Sequence, residues 1–148
     1  MNQPVLQTAR LTLEAFRTSD LEEIFAYACD PEVAKNVLWN PHQSVEDSRE
    51  YLNWINSKTN TDRDTIFFVW ALREKLSGKV IGSIDFKKTY PHVGQFDYAL
   101  ARSHWNKALM SEAAIEVKRW ALDTFSEIVR FQSFCFADNV GSRRVIEK

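Results

Sequence analysis

Apolar residues recur at every third or fourth position in three long stretches of the chain, which is the spacing of a helix that buries one face. The first stretch follows Ser19 and Asp20, residue types that favour helix N-caps, and the second follows Ser44. The third continues as far as Phe125. Together with two shorter pieces, these stretches predict helices over residues 21–28, 32–36, 44–55, 110–125 and 139–148.

Five other segments alternate apolar and polar residues, or are rich in β-branched and aromatic residues, as strands are. Ser77 and Gly78 give a hairpin signal between the second and third of them. The predicted strands cover residues 8–16, 66–73, 79–88, 94–102 and 128–136. Without the short helical piece at residues 32–36, the order β-α-α-β-β-β-α-β-α predicts one α/β domain over residues 1–148, a mixed central sheet with helices on both faces.

Charge and composition narrow the function classes. The net charge is −1 and no run of Lys or Arg forms a basic stripe, so we expect no nucleic-acid partner. No apolar stretch approaches the length of a membrane span and the N-terminus lacks the regions of a signal peptide, so we expect a cytoplasmic protein without a membrane partner. Two distant cysteines and three histidines without zinc-type spacing favour reduced thiols and no metal site.

The segment with most chemical content joins a predicted strand to the start of the third long helix. Residues 95–100 lead into a turn at residues 104–108, and the helix pattern follows directly. At such a junction the first N–H groups of the helix and the positive end of its dipole both face the turn. The sequence therefore predicts an anion site here, and a diphosphate is the natural guest.

Four short segments occur in order over nearly the whole chain, at residues 6–13, 39–46, 105–113 and 139–148. The opening strand reads L-x-T-x-R-L-x-L, and the entry to the second long helix reads W-x-P-H-x-S-x-E. The fourth segment is similar to N-x-x-S-x-x-V-[LI]-E-K. In this order the segments resemble motifs of the GNAT acetyltransferase superfamily, in the branch of ribosomal-protein N-terminal acetyltransferases of the RimJ/RimL type, and the third segment is similar to the pyrophosphate motif of that family.

This resemblance implies the GNAT fold, acetyl-CoA as cosubstrate without a metal, and a primary amine that attacks the thioester directly. The acceptor would be a protein N-terminus or a small molecule. In the family, a bulge on the fourth strand, here near Leu100 and Ala101, binds the pantetheine arm, and the turn holds the diphosphate through backbone N–H groups. Lys107 is a candidate for an added positive charge beside the diphosphate, and a solvated surface lysine is the alternative. By the same resemblance, the remaining cofactor-binding residues are Asn106, Lys107, Ala108, Leu109, Met110 and Asn139.

The chain departs from the family pattern in three ways. Asn106 and Ala108 replace the usual glycines of the turn, and Ala108 would weaken cofactor binding if its backbone needs a positive φ. Gln95 replaces the usual glutamate, and Asp97 supplies a carboxylate two residues on. The family also continues past the motif that ends at Lys148 with a closing strand pair. We therefore expect the domain to extend further, and pairing at an open sheet edge would allow a homodimer.

Asp97 is the first candidate for the general base that removes the amine proton, and a structural carboxylate is the alternative. Asp85 is the second candidate, with a structural role favoured. Ser142 is a candidate acid or water-holding residue by resemblance, or a serine of a helix first turn. The substrate-binding candidates flank the expected acceptor cleft; they are Trp39, His42 and His92.

Two further expectations concern side chains near these motifs. Glu112 is expected to form a hydrogen bond at the helix start, because a carboxylate aimed at a diphosphate is unfavourable. Trp70 is expected in the core. The departures at Ala108 and Gln95 leave a second interpretation of the whole chain, a non-catalytic GNAT-fold module that binds CoA or a protein partner.

Overall fold

The computed structural model describes residues 2–35, 39–58 and 66–133. Within these ranges seven strands form one sheet in the order β1-β2-β3-β4-β5-β7, and β6 pairs with β4 beside β5. All pairs are antiparallel except β5 with β7. The strands are β1 Leu6–Gln7, β2 Leu11–Glu14, β3 Phe67–Glu74, β4 Val80–Tyr90, β5 Val93–Gln95, β6 Tyr98–Leu100 and β7 Arg130–Gln132.

Within the described residues four α-helices accompany the sheet. The apolar spacing predicts the three long ones, and the short one corresponds to the short helical piece predicted after Pro31. They are α1 Leu21–Ala28, α2 Pro31–Ala34, α3 Val45–Lys58 and α4 Leu109–Thr124. The Asp30 side chain accepts a hydrogen bond from the Glu32 N–H, and Pro31 occupies the first turn of α2, where it displaces no helical hydrogen bond. The final predicted helix, residues 139–148, lies outside the described residues. Within the described ranges, no helix is long and apolar enough to span a bilayer.

One face of the sheet packs against α4. Phe68 and Trp70 of β3 point to this face, where Trp70 is fully buried as predicted. The apolar side of α4 contributes Ala113, Val117 and Ala121, each completely shielded from solvent. These small or β-branched residues recur at every fourth position on one side of α4, so the helix can approach the sheet closely. The larger of the two buried cores lies on this face.

The opposite face carries α1, α2 and α3. Ile24 and Tyr27 of α1 pack against Ala71 of β3 and Ala99 of β6, while α3 lies beside α1. Side chains along a strand alternate between the two faces. The residues opposite the α4 face therefore include Ser83, Asp85 and Asp97, which places the polar part of the sheet on the α1–α3 side.

The structure corrects the predicted strand 94–102, which is divided in two. β5 pairs with the end of β4, where Lys87 lies opposite Gln95. β6 pairs with the first half of β4, where Gly82 lies opposite Leu100. Phe96 and Asp97 interrupt the strand between them. Alternation of apolar and polar residues continues through these two positions, so the pattern alone did not reveal the break.

Candidate active site

The interruption in the strand opens the sheet beside β6. β5 continues as the parallel partner of β7, and the last hydrogen bond between them runs from the Phe96 N–H to the Gln132 carbonyl, at 3.2 Å. Beyond this point β6 is paired with β4 alone within the described chain. Within the described residues the side of β6 away from β4 therefore has no strand partner, and we call this side of β6 the gap.

The hydrogen bonds of β6 identify which backbone groups face the gap. The Asp97 backbone carbonyl accepts a hydrogen bond from the Asp85 N–H at 2.8 Å, and the Ala101 N–H donates to the Ile81 carbonyl at 2.7 Å. The backbone groups of these alternate residues therefore face β4. Leu100, which lies between them, faces the gap. The Trp105 indole N–H donates to the Leu100 carbonyl at 2.8 Å and ties the strand end to the following turn.

This geometry corrects the expected position of the bulge. The interruption lies at Phe96 and Asp97, not near Leu100 and Ala101. The Ala101 carbonyl also accepts from the His104 N–H, at 2.9 Å, so both backbone groups of Ala101 are engaged inside the chain. Of the two residues, only Leu100 directs its N–H toward the gap.

The turn before α4 has an unusual backbone. Asn106 and Ala108 both adopt the left-handed conformation, with φ of 60° and 59°. Both are the positions where the resembling family carries glycine, and the side chains of residues 106–108 are exposed. For a residue with a Cβ this conformation costs roughly 1–2 kcal/mol, and asparagine tolerates it better than alanine does.

The start of α4 is open toward this turn. The first helical hydrogen bond runs from the Glu112 N–H to the Ala108 carbonyl, so the N–H groups of Leu109, Met110 and Ser111 have no acceptor within the helix. No side chain in the described ranges caps the helix. The Leu109 and Met110 side chains are buried in the core, so only their N–H groups are available to a ligand. These N–H groups lie where the sequence predicts an anion site, and the binding itself stays a prediction.

The Glu112 carboxylate is bonded to the segment between β1 and β2. It accepts hydrogen bonds from the Thr8 hydroxyl, the Arg10 N–H at 2.9 Å and the Arg10 guanidinium at 2.8 Å. Burial by itself raises the pKa of Glu112, but these hydrogen bonds and the charge of Arg10 outweigh it and leave the pKa lowered. The expected hydrogen bond of this side chain at the helix start is therefore wrong, because its partners belong to the first strands.

Asp85 of β4 lies opposite Asp97, the residue directly before β6, on the α1–α3 face. The Asp97 N–H donates to an oxygen of Asp85 at 3.1 Å, and the Lys87 ammonium lies 3.7 Å from Asp97. Burial, and then the negative charge of Asp97, raise the pKa of Asp85 to about 7. A carboxyl group with this pKa takes up and releases protons at neutral pH, as a general base must.

Aromatic rings form a continuous wall along the same face. Trp39 contacts His42 with ring centroids 5.3 Å apart, and the contacts continue through Tyr51 and Trp54 to Phe67 of β3. Burial raises the pKa of Tyr51 to about 12, and the nearby charge of Asp85 contributes to the increase. The wall therefore borders the carboxylate pair, with about half of the Trp54 surface exposed.

The two histidine candidates lie in different places. His42 belongs to the aromatic wall, and its Nδ1 is 2.9 Å from the Ser48 hydroxyl; burial lowers its pKa. His92 lies in the β4–β5 turn, where its ring is 3.0 Å from the Glu127 carbonyl. The structure thus groups His42 with Trp39 and places His92 against the segment that follows α4. Ser142 and Asn139 lie outside the described residues.

Three features of the site were missed from the sequence. Thr8 and Arg10 contact Glu112 across more than 100 positions, although each occurs in a motif that was noted separately. Trp105 anchors β6 to the turn. The raised pKa of Asp85 depends on the cross-strand position of Asp97, and only a correct register could have predicted that.

The chain matches the family model described as acetyltransferase (GNAT) domain over residues 10–148. It is 31% identical over 110 residues to the uncharacterized N-acetyltransferase p20 of Bacillus licheniformis. That match covers 73% of this chain and 60% of the relative, so the chain spans less than two thirds of the relative's length.

Solved structures resemble the fold closely at low sequence identity. A GNAT-family acetyltransferase from Bacillus anthracis has a TM-score of 0.79 at 21% identity, covering 97% of this chain and 81% of its own. RimL, a ribosomal alpha-N-protein acetyltransferase in complex with coenzyme A, has a TM-score of 0.79 at 17% identity. That match covers 96% of this chain and 80% of the RimL chain. These likenesses confirm the predicted mixed α/β GNAT fold.

Proposed function

The chain belongs to the GNAT acetyltransferase family, and on this basis we propose that it is an N-acetyltransferase that moves the acetyl group of acetyl-CoA to a primary amine. The observation that carries the proposal is the left-handed turn at Asn106 and Ala108 in front of the uncapped α4. A backbone with this shape directs several N–H groups at one point, which suits a diphosphate.

The cofactor side consists of the turn and β6. The N–H groups of Ala108, Leu109, Met110 and Ser111 would bind the diphosphate, with Lys107 as an exposed positive charge beside it. Acetyl-CoA supplies the thioester that the amine attacks. The Leu100 N–H, which faces the gap, would hold the thioester carbonyl and stabilise the negative charge that develops on its oxygen. We place the remaining cofactor contact at Asn139.

The acceptor side is the α1–α3 face with its carboxylate pair. An incoming ammonium group must lose a proton before it can attack, and this costs about 1.4 kcal/mol at pH 7 for an α-amino group of pKa ~8. For a lysine of pKa ~10.4 the cost is roughly 4.6 kcal/mol. Asp85 or Asp97 would accept this proton, and Ser142 would take part in returning one to the leaving thiolate. A base of pKa about 7 suits an α-amino group better than a lysine.

A protein N-terminus is therefore the acceptor that we favour over a lysine side chain. The fold likeness to RimL points in the same direction, since that neighbour is described as an alpha-N-protein acetyltransferase. A small amine of similar pKa meets the same requirement. Trp39 and His42 would contact the part of the acceptor next to its amine. We do not assign His92 to this contact, because its ring is bound to the segment after α4.

The test is acetyl transfer from acetyl-CoA to a panel of peptides with free N-termini, the same peptides with blocked N-termini and an internal lysine, and small amines. Release of free CoA and the mass of each acceptor are measured together. We expect acetylation of free α-amino groups, with Asp97→Asn lowering turnover by about 10- to 100-fold while binding acetyl-CoA as before. Binding of acetyl-CoA without transfer to any amine would contradict the enzyme and support the non-catalytic module.

A further inference from the structure

A chain of side-chain hydrogen bonds ends on the carboxylate of Asp97. Arg130 donates to Gln132 at 2.9 Å, Gln132 donates to Gln95 at 3.0 Å, and Gln95 donates to Asp97 at 3.1 Å. The two glutamines lie side by side in the parallel pair of β5 and β7. Gln95 is buried, with 8% of its surface exposed, although glutamine is usually a surface residue.

The direction of this chain is determined by its two ends. A carboxylate only accepts hydrogen bonds, so the amide nitrogen of Gln95 must face Asp97. Its oxygen then faces Gln132, which must donate, and the oxygen of Gln132 is left for the guanidinium of Arg130. Every bond therefore points its donor toward Asp97, and bonds aligned in series polarise one another.

The chain of hydrogen bonds ends at Asp97, in the interruption between β5 and β6. Its last bond, from the Gln95 amide, orients the Asp97 carboxylate. Residues 96 and 97 belong to neither strand, and the Asp97 side chain is 38% exposed. Its carboxylate has two described anchors, the Gln95 amide and the more distant Lys87 ammonium. Asp85 is in contact with Asp97 but adds a second acidic group, which repels the first when both are ionised.

We propose that Gln95 and Gln132 are positioning residues that hold Asp97 as an oriented carboxylate and thereby direct the exchangeable proton of the pair to Asp85. This inference rests on the proposed function for its role in catalysis. The two acidic groups then differ in task. Asp97 is the oriented hydrogen-bond acceptor at the end of the hydrogen-bond chain, while Asp85 takes up the proton.

The charged and titratable groups facing the pair come from three described elements. Lys87 of β4 lies beside Asp97, and Tyr51 of α3 lies near Asp85. Arg130 of β7 acts through the two glutamines. Since Lys87 and Tyr51 remain when Gln95 is replaced, a change caused by that replacement can be assigned to the hydrogen-bond chain.

The experiment is a pH titration of the Asp side-chain carboxyl carbons by NMR on the protein without acetyl-CoA, with Asp85→Asn and Asp97→Asn used for assignment. Gln95→Leu removes the donor to Asp97 at similar volume. We expect the midpoint of the Asp97 carboxyl carbon to move to higher pH by about half a unit to one unit, because the proton of the pair is then shared with Asp97. Gln132→Leu should move it in the same direction by less, and Arg130→Gln by least.

A second readout is the pH dependence of kcat/KM for acetyl transfer, in which the rising limb should shift together with the carboxyl midpoint while KM for acetyl-CoA stays unchanged. An unmoved carboxyl midpoint in folded Gln95→Leu, or in Gln132→Leu if the first variant does not fold, would overturn the inference. A shifted midpoint in a protein that acetylates nothing would support the hydrogen-bond chain and contradict the proposed function, so the two failures are distinct.

Discussion

Asn106 and Ala108 have the same left-handed backbone but different reasons to tolerate it. An asparagine side chain can form local hydrogen bonds that compensate the close approach of its Cβ to the backbone, and alanine has no such group. The energetic cost is therefore concentrated at Ala108. The shape of the turn persists because the buried Leu109 and Met110 on one side and the bonded Trp105 on the other hold it.

Replacing Ala108 by Gly should therefore stabilise the protein by roughly 1 kcal/mol, because glycine adopts this conformation without strain. The midpoint of urea unfolding measures the change, and affinity for acetyl-CoA should rise or stay equal. Asn106→Gly is the matched comparison and should gain less. Destabilisation by Ala108→Gly would mean that φ at this position is not positive.

Asp85 gives the protein a stability that depends on pH in an identifiable direction. Its pKa is raised from 3.8 to about 7, so between these values the folded state binds a proton that the unfolded state has lost. Its contribution to stability is complete below pH 3.8, falls as the pH rises toward 7, and is constant above it. Asp85→Asn removes this pH dependence, because asparagine cannot ionise. The variant should therefore be more stable than the wild type by ~1–3 kcal/mol at pH 8 and about equally stable at pH 4.

Chemical unfolding of Asp85→Asn at the two pH values measures this difference. Asp97→Asn provides the comparison, because the charge of Asp97 is the second cause of the raised pKa after burial. In that variant the fall in stability should occur at lower pH. Equal stability of wild type and Asp85→Asn at pH 8 would mean that Asp85 ionises normally in the folded protein.

At the scale of elements, the first strands and α4 are joined by Thr8, Arg10 and Glu112. This contact fixes the segment between β1 and β2 to the first turn of α4. The negative charge of Glu112, one turn from the proposed diphosphate site, is paired with Arg10.

Glu112→Gln should lower the free energy of unfolding by about 1–2 kcal/mol at pH 7, since the new amide NH2 faces the Arg10 donor and the charge is lost. The lowered pKa of Glu112 means that its contribution is present above the ordinary value of 4.5 and disappears as the pH falls through the folded value. The difference between variant and wild type should therefore shrink in acid.

Glu116→Gln is the control on the same helix, because Glu116 pairs with the exposed Arg119. Such surface pairs contribute less than ~1 kcal/mol. Thermal or urea unfolding of both variants at pH 7 and pH 4 makes the comparison. A loss in Glu112→Gln no larger than that in Glu116→Gln would contradict the joining role of Glu112.

The sequence predicts helices and strands correctly where one face of a segment is apolar. It does not predict strand ends that are determined by backbone hydrogen bonds to distant strands. The spacing of Leu21, Ile24 and Ala28 was enough for α1, because burial of that stripe determines the helix. The break at Phe96 and Asp97 separates β5, which pairs with both β4 and β7, from β6, which pairs with β4. These pairings join residues far apart in sequence, so no local pattern predicts the break.

For the whole molecule, four short motifs in the right order were sufficient to predict the GNAT fold. The site was only partly predictable. The turn at Asn106 and Ala108 followed from a strand that runs into a helix, whereas Gln95, Asp85 and Asp97 were brought together by strand register. The catalytic roles of Asp97 and Ser142 and the cofactor contact at Asn139 stay predictions.

The central claim is that the turn before α4 binds the diphosphate of acetyl-CoA, and calorimetric titration of acetyl-CoA into the protein and two variants tests it most directly. Ala108→Asp and Ala108→Asn both tolerate the left-handed backbone, have nearly the same size, and differ by one negative charge. We expect micromolar binding to the wild type, similar binding to Ala108→Asn, and a loss of at least about tenfold in Ala108→Asp through repulsion of the diphosphate. Equal affinity of the two variants, or no binding to the wild type, would contradict the account.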